Sequence, residues 1–135
     1  MKVLIADDDP IARDMLEAKL SMWDYVVVSA SDGKEAWDIL QKDDAPRIAV
    51  LDWMMPNMNG IELCRKIKER EKASYVFVIL LTSKSEKEEI VVGLDAGADD
   101  FITKSFDPGE LKSRLMAGIR VLDYESKIIT MTESV

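Results

Sequence analysis

IAVLDWMMPNMNG, residues 48–60, is the stretch that decides the fold of this chain. Its first four residues are apolar, which is typical of a strand buried on both faces of a parallel sheet. The strand ends on the carboxylate of Asp52, and Pro56 and Gly60, with two asparagines between them, then mark a loop. Taken alone, Asp52 is best interpreted as a turn or helix-capping acid. The rest of the sequence favours a reactive group instead.

Strand and helix patterns alternate five times along the chain. The predicted strands cover residues 2–7, 25–30, 48–52, 75–82 and 100–103. Asp9-Pro10 and the capping box formed by Ser85 and Glu88 indicate where two of the helices begin. This alternation predicts an α/β fold in which a parallel sheet carries helices on both faces.

Two helices show clear apolar spacing. The last predicted helix begins at Pro108 and repeats Leu111, Leu115, Ile119 and Leu122. The first helix repeats Ile11, Met15, Ala18 and Met22, with Leu16 and Leu20 beside them. A chain of 135 residues favours one domain, which we assign to residues 1–122. We interpret residues 123–135 as a C-terminal tail and the start of a linker to an effector domain.

Composition excludes several classes of function. The net charge of −8 argues against direct binding of nucleic acid. The chain has no histidine, so imidazole chemistry and histidine phosphorylation are excluded. The longest apolar run, residues 75–81, is too short to span a membrane, and no signal-peptide pattern is present, which predicts a cytoplasmic protein. Cys64 cannot form an internal disulfide, and its helical neighbours indicate a packing role.

Polar side chains stand where the predicted strands end. Asp7 and Asp8 follow the first strand, Asp52 ends the third, Thr82 ends the fourth and Lys104 follows the fifth. Each has an ordinary explanation as a cap, a strand residue or a surface charge. Because ligands bind at the carboxyl ends of parallel strands, the five side chains are expected to meet. Three carboxylates that close together favour a bound cation such as Mg²⁺, which also accepts phosphate oxygens.

These motifs resemble the response-regulator receiver domain of two-component signalling, over residues 2–122. The resemblance implies a flavodoxin-like, doubly wound sheet with strand order 2-1-3-4-5. The matching positions are Asp7-Asp8, Asp52 with Met55-Pro56 and Gly60, Thr82-Ser83, residues 97–101 and Lys104.

The resemblance also implies a role for each site residue. Asp52 would take a phosphoryl group from the phosphohistidine of a sensor histidine kinase or a phosphotransfer protein. Asp8, Asp52 and the backbone carbonyl of Met54 would bind Mg²⁺, with Asp7 acting through water. Lys104 would neutralise phosphoryl charge and Thr82 would hydrogen-bond the bound group. Phe101 occupies the position of an aromatic switch that turns inward, although a strand aromatic of this kind can also be plain packing.

The chain departs from the family pattern after Lys104. Ser105 stands where the family usually has proline behind a cis peptide bond, so we predict a trans bond here. Met54 and Lys84 occupy the two positions whose side chains tune hydrolysis of the phosphoryl bond in the family.

The resemblance implies an output surface formed by the fourth helix, the fifth strand and the fifth helix. This surface would form a homodimer that phosphorylation strengthens. Ile90 replaces a basic partner that winged-helix regulators carry, which predicts a monomer or weak dimer before phosphorylation. The charged positions retained on this surface are Asp99, Asp100, Glu110, Arg114 and Arg120.

Three other functions stay open at the level of sequence. A flavodoxin-like cofactor module would need a glycine-rich phosphate loop, and no such motif occurs. A phosphatase with an aspartate nucleophile would carry a second aspartate where this chain has Met54. A receiver-like module used only for docking remains open because of Ser105.

Overall fold

The computed structural model describes residues 1–70, 74–83 and 87–133, without the side chains of residues 87–88 and 129–133. Five parallel strands form one sheet in the order β2-β1-β3-β4-β5, which confirms the predicted topology. The strands are β1 (Lys2–Ala6), β2 (Val26–Ala30), β3 (Ile48–Asp52), β4 (Phe77–Thr82) and β5 (Asp100–Thr103). The helices are α1 (Pro10–Met22), α2 (Gly33–Leu40), α3 (Gly60–Glu69), α4 (Lys87–Asp95) and α5 (Pro108–Glu133).

Three helices begin at polar side chains that bond the free backbone N–H groups of the first turn. The side-chain oxygens of Asp9, Asp32 and Asn59 accept from backbone N–H groups two or three residues further on, at 2.8–3.0 Å. The predicted start of α1 at Asp9-Pro10 is therefore confirmed. The capping box predicted at Ser85 and Glu88 lies outside the described residues and side chains.

Alternating side chains of the strands enter two separate cores. Val3 and Ile5 pack beneath α1 and α5, in a cluster that includes Leu16, Leu111 and Leu115. Their neighbours Leu4 and Ala6 pack on the opposite face with the apolar side of α3. Strand β3 is buried along its whole length, as expected for the central strand of a doubly wound sheet.

The first helix turns a different apolar face to the sheet from the one that its longest repeat indicates. Leu16 and Leu20 are buried, whereas Ile11, Met15 and Met22 are exposed. Both sets of residues follow helical spacing, and the two leucines are the set that packs against the sheet. An apolar strip therefore remains on the outside of α1.

The last helix is longer than the predicted domain. It continues without a break across the boundary between Leu122 and Asp123 and ends at Glu133. Leu111, Leu115 and Leu122 are buried, as predicted. Beyond them, Arg47 Nη2 donates to Glu125 Oε2 at 2.8 Å and ties the far part of α5 to the start of β3. Within the described part, none of the helices has both the length and the apolar character needed to cross a bilayer.

Asp99 belongs to the interior rather than to the predicted output surface. Lys68 Nζ donates to Asp99 Oδ2 at 2.8 Å, Val78 N–H donates to the same oxygen, and Tyr75 donates its hydroxyl to Oδ1. Burial, followed by the bond to Asp99, raises the pKa of Tyr75 above its usual value. The side chain of Lys68 also fills the space at Gly97, which has a φ of +99°.

Candidate functional site

Three carboxylates meet beyond the carboxyl ends of β1 and β3. One oxygen each from Asp7, Asp8 and Asp52 lies within 4.8 Å of the other two. Asp7 and Asp52 are buried, whereas Asp8 is exposed. The strand register produces this arrangement, because Ala6 pairs with Leu51 and so brings the residues that follow them side by side.

Asp7 is held in place by its own loop. Its Oδ1 accepts the backbone N–H of Asp9 at 2.9 Å, and Arg13 Nη1 donates to its backbone carbonyl at 2.8 Å. The other oxygen, Oδ2, is buried and has no hydrogen-bond partner among the described residues. A buried acceptor without a partner is costly, so this oxygen favours a cation or water in the space beside it.

The surroundings of Asp52 disfavour the charged form of its carboxyl group. The pKa of Asp52 is raised to about 6, because burial and the nearby charge of Asp7 raise it by more than the hydrogen bond from Lys104 lowers it. Lys104 Nζ lies 2.9 Å from Asp52 Oδ2. Burial lowers the pKa of Lys104, but the bond to Asp52 and the negative charges of Asp52, Asp7 and Asp8 together outweigh burial, so the pKa of Lys104 is raised. The pair therefore combines a buried carboxylate with an adjacent positive charge.

An open cavity of about 280 Å³ gives access to Asp52. Two of its lining residues are joined through their backbones, since Lys104 N–H donates to the Thr82 carbonyl at 2.7 Å. Met54 lies on its rim and is exposed, while Lys84 lies outside the described residues. The cavity is lined by Asp52, Trp53, Met54, Thr82, Ser83, Glu89 and Lys104.

The loop after β3 closes tightly against the end of that strand. Gly60 N–H donates to the Trp53 carbonyl at 2.9 Å. A Cβ atom on Gly60 would collide with the backbone carbonyl of Asp52, so glycine is required for α3 to begin this close to the strand. The glycine that marked a loop in the sequence thus fixes the position of Asp52.

Phe101 connects the cavity wall to α4. Its ring centroid lies 6.5 Å from that of Trp53, at an interplanar angle of 36°. The ring also packs against Gly93, where a Cβ atom would collide with it. The side chain is half-buried, which fits both the packing interpretation and the predicted switch.

The Lys104–Ser105 peptide bond is trans, as predicted, and the structure has no cis bond in any range it describes. The Ser105 hydroxyl lies 3.4 Å from that of Thr103.

Sequence reasoning missed four residues that shape the site. Trp53 and Glu89 line the cavity, Arg13 holds the Asp7 backbone, and Gly93 seats Phe101. Only Trp53 carried a signal, since it directly follows Asp52 in the sequence. The other three act from helices, and their distance from the strand ends depends on packing.

The comparisons with known proteins decide the family. The sequence profile of the response regulator receiver domain matches residues 3–116. The chain belongs to this family. The receiver domain is 40% identical over 125 residues to the probable transcriptional regulator ycf27 of Porphyridium aerugineum, covering 93% of this chain and 50% of that protein. It is also 40% identical to the phosphate regulon transcriptional regulatory protein PhoB of Pseudomonas aeruginosa, covering 87% and 51%.

A solved structure supports the fold and bears on the metal. The receiver domain of a sensor histidine kinase from Pseudomonas aeruginosa has a TM-score of 0.79 and 26% identity, covering 87% of this chain and 96% of that one. That structure holds a magnesium ion in its active-site cleft. The chain described here spans about half the length of the curated relatives it matches. The family match makes this chain a receiver of the two-component class, in which phosphorylation by histidine kinases is the general function.

Proposed function

We propose that this receiver domain accepts a phosphoryl group on Asp52 from the phosphohistidine of a sensor kinase or phosphotransfer protein. The observation that carries the proposal is the contact between Asp52 and Lys104 inside an open cavity that also contains Thr82. The buried carboxylate is the nucleophile, and the fixed ammonium lies where negative charge develops during transfer.

The proposed step is an in-line displacement. A carboxylate oxygen of Asp52 forms the new O–P bond while the P–N bond to the donor imidazole breaks. The imidazole leaves with that electron pair and takes up a proton from water. Lys104 donates to one phosphoryl oxygen and the Thr82 hydroxyl donates to another. The product is an acyl phosphate on Asp52, so the protein catalyses its own phosphorylation and, with water as acceptor, its own dephosphorylation.

The acidic cluster fits Mg²⁺. Hard carboxylate oxygens suit this ion, and the buried Asp7 Oδ2 lacks another partner within the described structure. We propose that Asp8, Asp52 and the backbone carbonyl of Met54 hold the ion, with Asp7 acting through water. When bound, Mg²⁺ neutralises phosphoryl charge and relieves repulsion among the carboxylates.

Incubation with Mg²⁺ and acetyl phosphate tests the chemistry. We expect a mass gain of one phosphoryl group that Asp52→Asn abolishes. Asp44→Asn makes the same change of charge at an exposed aspartate bound to Lys2, so it should leave labelling intact. Labelling of the Asp52→Asn chain at another residue would overturn the assignment. Rapid donor turnover without label would indicate a phosphatase, and neither label nor turnover would indicate a docking module.

The outer strip of α1 supports a protein donor. Ile11 and Met15 are exposed apolar side chains beside the acidic site. Met15 also lines a second cavity, of about 160 Å³, together with Asp7, Lys104 and Phe106. An apolar surface next to the opening suits a helical donor that must bring its histidine to Asp52.

Substitution on the α1 strip separates docking from chemistry. Met15→Lys should slow transfer from a phosphorylated histidine-phosphotransfer protein and leave labelling by acetyl phosphate close to normal. Met116→Lys, at an exposed methionine of α5, is the matched control and should affect neither reaction. Equal loss with both donors would show that Met15 acts on the site itself.

For the output we propose a surface of α4, β5 and α5 that associates more strongly after phosphorylation. Arg114 lies 3.4 Å from Asp100 and 4.0 Å from Glu110, so part of the predicted charge network is formed. Val91 and Leu94 are exposed on α4. Binding of Thr82 to the phosphoryl group would shift an existing equilibrium that Phe101 reads.

Sedimentation with and without beryllofluoride, a phosphoryl mimic, tests this output. We expect a monomer or weak dimer in its absence and stronger association in its presence. Arg114→Glu should remove the gain. A dissociation constant that beryllofluoride leaves unchanged, or a gain that survives Arg114→Glu, would rule out this surface.

A further inference from the structure

An apolar stripe runs along the exposed side of α5. Val121, Tyr124 and Ile128 retain 40%, 64% and 64% of their accessible surface. Ala117, one step earlier, is half-buried. The spacing of four, three and four residues follows a heptad, and in the sequence Met131 and Val135 take the next two positions. We call Ala117, Val121, Tyr124 and Ile128 the α5 seam.

The seam is separate from the face that α5 turns to its own core. Leu111, Leu115 and Leu122 form the buried face. At 100° per residue, the seam lies about a third of a turn around the helix from these leucines. The helix therefore carries two apolar stripes, and its own domain covers one of them.

We propose that the α5 seam pairs with the same seam of a second copy as a parallel two-stranded coiled coil. A heptad stripe is self-complementary, because each side chain fits between four residues of an identical helix. The residue types favour this assembly. Val121 and Ile128 share one core position of the heptad, and β-branched residues there favour parallel dimers.

The charges beside the seam favour the parallel orientation. Arg120 directly precedes Val121 and lies on one flank of the seam, at heptad position g. Glu125 directly follows Tyr124 and lies on the other flank, at position e. In a parallel pair these positions meet, so Arg120 of each copy faces Glu125 of the other. In an antiparallel pair Arg120 would face Lys127, and the like charges would repel. The parallel arrangement thus gains two ion pairs by symmetry.

The position of Glu125 links the seam to the domain. Its Oε2 accepts from Arg47 at 2.8 Å, which fixes this turn of α5 against the start of β3. The carboxylate has a second oxygen for Arg120 of the other copy. The proposed pairing needs no phosphoryl group, so it goes beyond the output proposed above and can be measured without it.

Sedimentation equilibrium of the whole 135-residue chain tests the seam. We expect a concentration-dependent dimer in the absence of phosphodonor. Val121→Glu and Ile128→Glu should each weaken it by about tenfold or more, because a charge enters the buried contact. Met116→Glu places the same charge at an exposed apolar position of α5 outside the seam and should leave the dimer intact. A wild-type chain that stays monomeric, or seam variants that dimerise normally, would overturn the proposal.

A charge exchange tests orientation. Arg120→Glu and Glu125→Arg should each weaken the homodimer, and an equal mixture of the two chains should restore dimers that contain one of each. Arg47→Ala removes the ion pair to Glu125 without changing the seam, and it should still dimerise. A mixture that associates no better than its components would exclude the parallel arrangement. Circular dichroism of each variant confirms that the fold is retained.

Discussion

Lys104 Nζ lies 2.9 Å from Oδ2 of Asp52, so an ammonium on a side chain that is 39% exposed pairs with a carboxylate that is only 3% exposed. The contact reduces the cost of the buried carboxylate without removing it. Burial still raises the pKa of Asp52 to about 6, and the charge of Asp7 adds to that effect. The Asp52 carboxylate therefore keeps an unfavourable burial energy and a repulsion from Asp7, which a bound cation would reduce or phosphorylation would remove.

Stability without metal should depend on the ionisation of Asp52. In the folded chain Asp52 keeps its proton up to about pH 6, whereas in the unfolded chain its pKa returns to the ordinary value of 3.8. Stability is therefore lost as the pH rises between these values. We expect Asp52→Asn to raise the free energy of unfolding by on the order of 3 kcal/mol at pH 7 in EDTA, and by little at pH 4. Denaturant unfolding at both pH values measures the difference.

An equal increase in the free energy of unfolding of Asp52→Asn at both pH values would show that the buried charge is not the cause. Lys104→Ala provides a second check. Because Lys104 lowers the pKa of Asp52, its removal should extend the loss of stability to higher pH.

Magnesium should stabilise the protein through the acidic cluster. A ligand present at a hundred times its dissociation constant adds about 2.7 kcal/mol to the free energy of unfolding. We expect Mg²⁺ to raise the melting temperature of the wild-type chain, and Asp8→Asn to weaken the affinity measured by calorimetry. Asp14→Asn, an equal change of charge at an exposed position on α1, should bind Mg²⁺ normally. Normal binding by the Asp8→Asn chain would move the metal site elsewhere.

Gly93 should control the position of Phe101. A methyl group at Gly93 would collide with the Phe101 ring, so Gly93→Ala should displace the ring and cost about 1–3 kcal/mol. Gly109→Ala is the matched control, because a Cβ atom there would meet Asp107 Oδ1 at an ordinary 3.5 Å. NMR shifts of the Phe101 ring and the Trp53 indole report the displacement. Equal responses to the two substitutions would mean that the contact at Gly93 is unimportant.

Lys68 should be a major determinant of stability away from the site. Its ammonium bonds Asp99 and the Val76 carbonyl in a partly buried setting. Lys68→Met leaves the Asp99 carboxylate without its cation and should cost about 3 kcal/mol. Lys2→Met removes an exposed pair with Asp44 and should have no measurable effect on unfolding. Similar losses for the two variants would show that burial does not strengthen the pair at Lys68.

The ends of the strands could be predicted from the sequence, because the strands are apolar and all run in the same direction. A buried parallel strand must be apolar throughout, so the first charged residue after it marks its end, as at Asp52. Parallel direction then brings Asp7, Thr82 and Lys104 to the same edge. The roles of these residues as nucleophile, metal ligand and phosphate ligand stay predictions until the experiments above are done.

Other features depended on tertiary packing. Two stripes on α1 satisfy helical spacing, and only contact with the sheet selects Leu16 over Met15. Asp99 and Asp100 are adjacent, yet they point to opposite sides near β5, towards Lys68 and Arg114 respectively. The length of α5 did have a signal, since no glycine or proline follows Gly118 in the sequence.

Trp53 lies in the cavity wall, so its fluorescence can serve as a probe of the site. Trp53 lies beside Asp52 and near Phe101, whereas Trp23 and Trp37 lie under the ammonium groups of Lys112 and Lys66 on other helices. Replacing Trp23 and Trp37 by phenylalanine would leave one indole, whose emission responds to charge and to its aromatic neighbour. Such a chain would report cation binding, phosphoryl transfer and ring movement in real time, without a dye.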